Sequence, residues 1–321
     1  MLNYPRIAYN KWGKNPFVRW FVSLLSNIQR KIIFNGTCLD PVIFENHCIE
    51  LGQSTHPDLF YNAESGEFLM TVSNYPYGIE RLEDSFVLSS KDGIHFTNLL
   101  EGAIEAYGGR GDSHFSDGDL VFDGTCYTLY YRFCERDSDF RDIISISTSS
   151  DGKSWGKGQQ IINAPRDGLV SPAVVYHDGK YIMYYIALND SGSVLYRCDR
   201  KTNEFADFFD NRTEIAIENM PSGRMLWHIN VSLEGERLHG LFTLSTGTGG
   251  VNSRLYYAEG NLNDNTWIIK HEIDPAVDMK HIKKVYRSAL VKAESVWYLY
   301  IAICTNNDCW YIGRRRFYEI S

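Results

Sequence analysis

From residue 40 onward, short apolar runs alternate with turns built on Gly, Asp and Ser. Five of these runs align with one another: His56-Pro57-Asp58-Leu59-Phe60-Tyr61, Asp117-Gly118-Asp119-Leu120-Val121-Phe122, Ser171-Pro172-Ala173-Val174-Val175-Tyr176, His228-Ile229-Asn230-Val231-Ser232-Leu233 and Arg287-Ser288-Ala289-Leu290-Val291-Lys292. Their first residues stand at 56, 117, 171, 228 and 287, giving steps of 61, 54, 57 and 59 residues. A turn follows each run, at Ser65-Gly66, Asp123-Gly124, Asp178-Gly179, Glu234-Gly235 and the weaker Glu294-Ser295. Asp-Gly and its relatives supply the positive φ angles that two-residue hairpins need. Aromatic second strands are predicted at Phe68–Val72, Tyr127–Tyr131, Tyr181–Ile186, Leu238–Leu244 and Trp297–Ile303. Third strands follow at Phe86–Ser89, Ile143–Thr148, Ser193–Arg197, Arg254–Ala258 and Trp310–Arg314.

A strand-only unit repeated at this spacing predicts an all-β fold, a five-bladed β-propeller whose first strands line the axis. Val42–Leu51 is expected to give the last blade a fourth strand and so close the ring. Ahead of the repeat, residues 15–33 hold the one clear helical period. Asn15 can cap this helix and Pro16 suits its first position. Phe17, Trp20, Phe21, Leu24, Leu25 and Ile28 then fall on one stripe. The chain thus reads as a basic N-terminal extension with an amphipathic helix over 1–39 and a single propeller domain over 40–321, with no linker to mark a second domain.

Composition sharpens the picture at a few points. Aromatic residues make up 14% of the 321, with 21 Tyr and 17 Phe against nine Pro, which suits strands. Net charge is −8, but residues 1–39 hold six Lys and Arg and no acid, so this segment is +6 and the remainder −14. An acidic main body argues against nucleic acid as a partner. Cations flanking an apolar stripe fit two readings: a helix packed on the propeller, or peripheral contact of residues 15–33 with an anionic membrane surface. Arg19 interrupts the apolar run and no cleavage site follows, so the N-terminus does not read as a signal peptide. No 18-residue apolar stretch is present. The seven cysteines are scattered without C-x-x-C or zinc-ligand spacing. Reduced thiols in the cytoplasm are the expectation, at the inner membrane face if the helix binds lipid. No motif predicts a cofactor or a metal.

Residues that open the innermost strands should face one another across the axis. They are His56 and Asp58, Asp117 and Asp119, Ser171, His228 and Asn230, and Arg287, with Trp227 among the flanking aromatics. Spacing of two along a strand would place Asp117 and Asp119 on one face. Polar groups converging on a preformed cavity mark a binding site. Carboxylates bond sugar hydroxyls, aromatic rings cover the apolar face of a pyranose, and clustered acids split their pKa values into a general acid and a base. Arg287 and Arg132 suggest an anionic group on the substrate. Each has a plainer reading: Asp58 and Asp119 as strand-end caps, Glu83 and Asp84 as solvated charges, His56 and His228 as buried hydrogen bonders, Arg132 and Glu135 as a surface pair. Gly108-Gly109-Arg110-Gly111-Asp112 and Gly247-Thr248-Gly249-Gly250 read as flexible loops beside the pocket, since no strand-to-helix context follows.

The series His56-Pro57-Asp58, Ser116-Asp117-Gly118-Asp119, Ser171-Pro172-Ala173-Val174-Val175-Tyr176, Trp227-His228-Ile229-Asn230 and Tyr286-Arg287-Ser288 resembles the five-bladed β-propeller glycoside hydrolases, families 32, 43, 62, 117 and 130, and is most similar to family 43. The resemblance covers residues 40–318. It implies an Asp base in blade one, an Asp that tunes pKa in blade two and a Glu acid in blade three. Asp117 matches the second position and Asp58, two residues after His56, partly matches the first. Blade three has Ser171-Pro172 and no Glu, so the acid's role passes to Asp119, Glu83 or Asp84, or the reaction differs. The implied activity is cleavage of a glycosidic bond, with Asp58 and Asp117 as acid and base and Asp119 as tuner or substitute. His56, Glu83, Arg132, Ser171, Trp227, His228, Asn230 and Arg287 would bind the carbohydrate. Two other classes fit the same residues: a glycosyltransferase or phosphorylase-type enzyme of surface-polysaccharide synthesis, and a non-catalytic glycan-binding propeller.

Overall fold

A computed structural model describes residues 4–98, 103–104, 111–138, 140–165, 168–189, 192–201 and 211–320. Five antiparallel-based sheets follow one another along the chain. Their innermost strands are Ser54–Asn62, His114–Phe122, Leu169–His177, Met225–Glu234 and Ala289–Ala293. Each touches the innermost strand of the next sheet, and the fifth touches the first, so the sheets close into a five-bladed β-propeller. The predicted second and third strands are all present. At the hairpin after blade three's innermost strand, Asp178 and Gly179 both have positive φ, as a tight two-residue turn requires.

Hydrophobic cores lie between neighbouring blades. Ile182, Tyr184 and Ile186 of blade three pack with Leu226, Phe242 and Trp267 of blade four. Val121, Tyr130 and Ile144 of blade two meet Val174, Tyr181 and Met183 of blade three. Alternation along each strand gives both faces of a sheet an apolar neighbour, which is why these strands read as nearly continuous apolar runs.

Ring closure differs from the expectation by a few residues. Asp40–Pro41, just before Val42–Leu51, pairs antiparallel with Gly313 and Arg314 on the outer edge of blade five. Ile43–Phe44 then crosses to blade one and pairs in parallel with His95 and Phe96. The crossing is short because Val42 N–H already donates to Ile312 O (2.9 Å) and Ile43 N–H to Ile94 O (2.9 Å).

Two helices precede the ring. The first, α1 (Tyr4–Trp12), was not signalled by the pattern; its Pro5 sits in the first turn but no acidic residue follows there. The second, α2 (Pro16–Phe34), is the predicted helix. Asn15 Oδ1 accepts from Phe17 N–H (3.0 Å) and Val18 N–H (3.3 Å), satisfying two otherwise unbonded donors of the first turn. Val22, Ser26, Ile33 and Phe34 are buried against the propeller. All seven cysteines are free thiols.

Candidate functional site

The innermost strands of blades one to four are interrupted near their beginnings, and blade five has a break at the same level. Pairing shifts register between Thr55 and Asp58, Ser116 and Asp119, Val170 and Ala173, and Leu226 and His228. In blade five, Ile282–Val285 and Ala289–Ala293 pair with the same neighbour and leave Tyr286-Arg287-Ser288 between them. His56, Asp117 and Ser171 occupy the first three interruptions with φ of 52, 53 and 51°. For non-glycine residues this left-handed backbone costs about 1–2 kcal/mol each. Such strain persists where surrounding structure holds it, most often at functional positions. At each bulge the extra residue re-aims a side chain that plain alternation would send elsewhere.

The result is two tiers. In the first, Asp117 is clamped from three sides: Arg132 Nε stands 3.1 Å from Oδ2, while His56 Nε2 and His228 Nδ1 stand 3.3 and 3.4 Å from Oδ1. Glu83 Oε1 lies 3.0 Å from His56 Nδ1, and Ser171 Oγ makes a short hydrogen bond with His228 Nδ1. His114 Nε2 stands 3.8 Å from the other Glu83 oxygen. All of these but Arg132 are buried, and the Arg132 side chain is 14% exposed. Burial pushes the Asp117 carboxyl up, but Arg132, His56, His228 and Arg287 together outweigh it and hold the group well below the usual carboxylate range. Burial drives His228 well below the ordinary imidazole value, against the pull of Asp117. Asp117 is therefore an anion and His228 a neutral imidazole.

The second tier lies further along the strands. Asp58 Oδ2 accepts from Leu120 N–H of blade two (2.6 Å), Asp119 Oδ2 from Val174 N–H of blade three (2.8 Å), and Asn230 Oδ1 from Leu290 N–H of blade five (3.1 Å). Asn230 Nδ2 also donates to Asp58 Oδ1 (2.6 Å), and Arg287 Nη2 to Asp119 Oδ1 (3.0 Å) and Pro172 O (3.2 Å). These side chains tie blade to blade. Burial raises both Asp58 and Asp119; Asp119 is pushed further by the neighbouring Asp58, and Arg287 opposes each rise. Asp117 and Asp119, expected on one face, have separate partners because the bulge lies between them.

Several further positions are now placed. Trp227 Nε1 donates to Tyr286 Oη (2.8 Å), and the Tyr286 ring stands 4.5 Å from His228 and 5.3 Å from His56. Trp310 and Tyr75 extend this aromatic wall. Tyr286, His114, Tyr75 and Trp310 were not singled out from the pattern; Tyr286 stands directly before Arg287, the one signal that could have found it. Asp84 is half-buried and offers its backbone carbonyl to Asn74 N–H. Glu135 caps the next turn, accepting from Asp137 and Ser138 N–H (both 2.8 Å). In the 247–250 loop, a Cβ on Gly250 would come 2.6 Å from the Tyr286 ring, so that residue is part of the wall. Gly108, Gly109 and Arg110 lie outside the described residues. An axial cavity of about 260 Å³ lies further along the innermost strands, beyond Asp58, lined by Leu120, Val174, Val231, Leu290 and Trp297. It is at the opposite end from the His56–Asp117–His228 cluster.

One atom each of His56, Asp117 and His228 lies within 4.8 Å of the others, the spread of a metal-ligand set. Among the described residues, His56 Nε2, His228 Nε2 and both Asp117 oxygens are buried without a hydrogen-bond partner. Two imidazole nitrogens and a carboxylate oxygen suit a borderline divalent cation such as Zn²⁺. Glu83 on the far nitrogen of His56 is the support such a ligand needs, while Ser171 shares Nδ1 of His228 with Asp117.

No protein-family model matches this chain, and no curated protein sequence matches it. Solved structures do match it in fold. An N-acetylgalactosamine deacetylase from F. plautii, solved with blood group B trisaccharide, superimposes with a TM-score of 0.65 at 14% identity, over 88% of this chain and 94% of that one. The GH43_1 enzyme from Xanthomonas citri, complexed with xylose, gives 0.62 at 14% identity over 92% of each chain. The α-L-arabinanase from Cellvibrio cellulosa, complexed with arabinohexaose, gives 0.56 at 13% identity over 82% and 91%.

Proposed function

We propose that the protein is a carbohydrate-active hydrolase whose working centre is the His56–Asp117–His228 triangle. The observation that carries the reading is this convergence of two imidazoles and one ionised carboxylate, with one ligand atom of each within 4.8 Å of the others. Saccharide as the substrate class draws support from the matching folds, whose proteins are named for work on or complexes with sugars. The half-buried Trp227 beside Tyr286 offers an aromatic surface for a sugar's apolar face.

A divalent cation held by His56, Asp117 and His228 would polarise a substrate oxygen and lower the pKa of a water. The chain's own residues do the rest. Glu83 holds His56 through Nδ1, so that Nε2 faces the centre. Arg132 keeps Asp117 ionised, and burial keeps His228 neutral and able to offer a lone pair. Arg132 and Arg287 both face internal carboxylates, so neither argues for an anionic group on the substrate.

Asp58 and Asp119 are bonded to neighbouring blades and blade three offers Ser171, which leaves one carboxylate at the centre. A glycosidase of the common kind needs two, roughly 5–10 Å apart across the sugar. Hydrolysis of an acyl group carried by a sugar therefore fits better. Glycosidic cleavage is the second reading, favoured by Glu83 beside His56 as a second acid. A panel of N-acetyl sugars and aryl glycosides, run with and without chelator, separates them. Acetate release that falls on chelation and returns with Zn²⁺ or Mn²⁺ is expected. Aryl-glycoside turnover indifferent to chelator would give the second reading; sugar binding with no turnover on either panel would leave a binding propeller and end the proposal.

A further inference from the structure

We propose that the α1–α2 hairpin docks the protein onto an anionic lipid surface. The helix α2 has two apolar faces where packing on the propeller uses only one. On the inner face Ser26 Oγ donates to Leu51 O (3.0 Å), Tyr311 Oη to Ser26 O (2.8 Å) and Gln29 Nε2 to Thr305 Oγ1 (3.1 Å). On the outer face Phe17, Trp20, Phe21, Leu24, Ile28 and Ile32 are between 43 and 71% exposed. They recur three or four residues apart and so form a single stripe. Tyr4, Ile7 and Trp12 of α1 extend it, each 47% exposed or more. Between the helices runs a groove of about 360 Å³ lined by Tyr4, Trp12, Phe17, Phe21 and Leu25, among others, with no polar lining. Scattered exposed apolar residues are ordinary, but a contiguous patch of this kind marks an interaction surface.

Charge selects the occupant. Residues 1–39 carry six cations and no acid, and Lys11, Lys14 and Lys31 are exposed. A second copy meeting this face would set those cations against themselves. Anionic headgroups complement them, and Trp, Tyr and Phe are the side chains that settle at headgroup depth. With 19 residues, α2 is about 28 Å long. No helix among the described residues is long and apolar enough to cross a membrane, so the hairpin lies along the surface. The hairpin also sits at the His56 end of the propeller. Ser26 touches Leu51, just before blade one's innermost strand, and Arg6 pairs with Asp308 (2.8 Å) in the turn that joins the last two strands of blade five.

The test sediments the full chain with phosphatidylcholine vesicles, with and without phosphatidylglycerol. Pelleting with the anionic vesicles only, with a blue shift of tryptophan emission, is expected. Replacing Lys11, Lys14 and Lys31 together by Gln should weaken partitioning about 100-fold, at about fivefold for each cation. Replacing Phe17, Trp20 and Phe21 together by Ser should abolish it, with the melting temperature unchanged because all three are exposed. If that variant melts early, Trp20→Ser alone replaces it. The proposal falls if the parent protein stays in the supernatant with anionic vesicles, or if it binds neutral vesicles equally and the Lys→Gln changes have no effect. A dimer that the Ser variant dissociates, without vesicle binding, would name a second copy as the occupant instead. None of these readouts involves turnover, so they stand apart from the reaction assigned to the axis.

Discussion

At the scale of single residues, the three axial aspartates part company. Asp117 faces two imidazoles and a guanidinium, whereas Asp58 and Asp119 accept backbone N–H groups from the next blade. Asp117→Asn should therefore cut turnover per folded molecule at least about 100-fold, and should also lower the melting temperature, because Arg132 loses the buried carboxylate it faces. Asp58→Ala should cost stability alone. It leaves Leu120 N–H and the Asn230 amide without their acceptor, costing about 1–3 kcal/mol for each buried group, with turnover per folded molecule unchanged. Turnover lost without loss of stability would return Asp58 to the chemistry. Arg287→Met leaves Asp119 Oδ1 and Pro172 O without their donor and should cost about 1–3 kcal/mol for each buried group in denaturant titration. These roles could not be read from the pattern. An aspartate at a strand opening looks the same whether it faces the axis or the neighbouring blade, and the deciding N–H of Leu120 lies 62 positions away from Asp58.

At the scale of elements, the bulge is the device that separates the tiers. Strand positions were legible because turn residues and apolar runs recur together; the extra residue was not, since alternation carries no mark of where it is broken. Gly118 shows how tightly the bulge is built. A Cβ there would stand 2.4 Å from Thr71 Oγ1 of blade one. Gly118→Ala should cost about 1–3 kcal/mol as blades one and two are pushed apart, and should lower turnover by moving Asp117. The outer turns follow the sequence more simply. In blade two, Asp151 Oδ1 accepts from Ser154 N–H (2.7 Å) and Lys153 N–H (2.8 Å). These bonds, with Ser149, lower its pKa from 3.8 to about 2. Folding favours the charged form, so the turn's contribution is complete above the ordinary carboxylate value and disappears as pH falls through about 2. A carboxyl-carbon NMR titration showing Asp151 at its ordinary value would contradict this.

For the whole molecule, the five-fold repeat was legible from spacing and the N-terminal hairpin only in part. Asn15-Pro16 and the following apolar period announced α2; the shorter α1, with Pro5 in its first turn and no acidic residue there, gave no comparable signal. That the stretch leading into blade one closes the ring was expected, but from Val42–Leu51 and not from Asp40–Pro41. The clasp joins chain made early to chain made late, since Asp40 and Pro41 pair with Arg314 and Gly313. A ribosome must therefore release the chain through Arg314 before the ring can seal, and until then the two outer edges meant for each other stay open to other strands. Such edges invite misassembly. The hairpin, by contrast, has emerged long before, while the blades behind it are still being made.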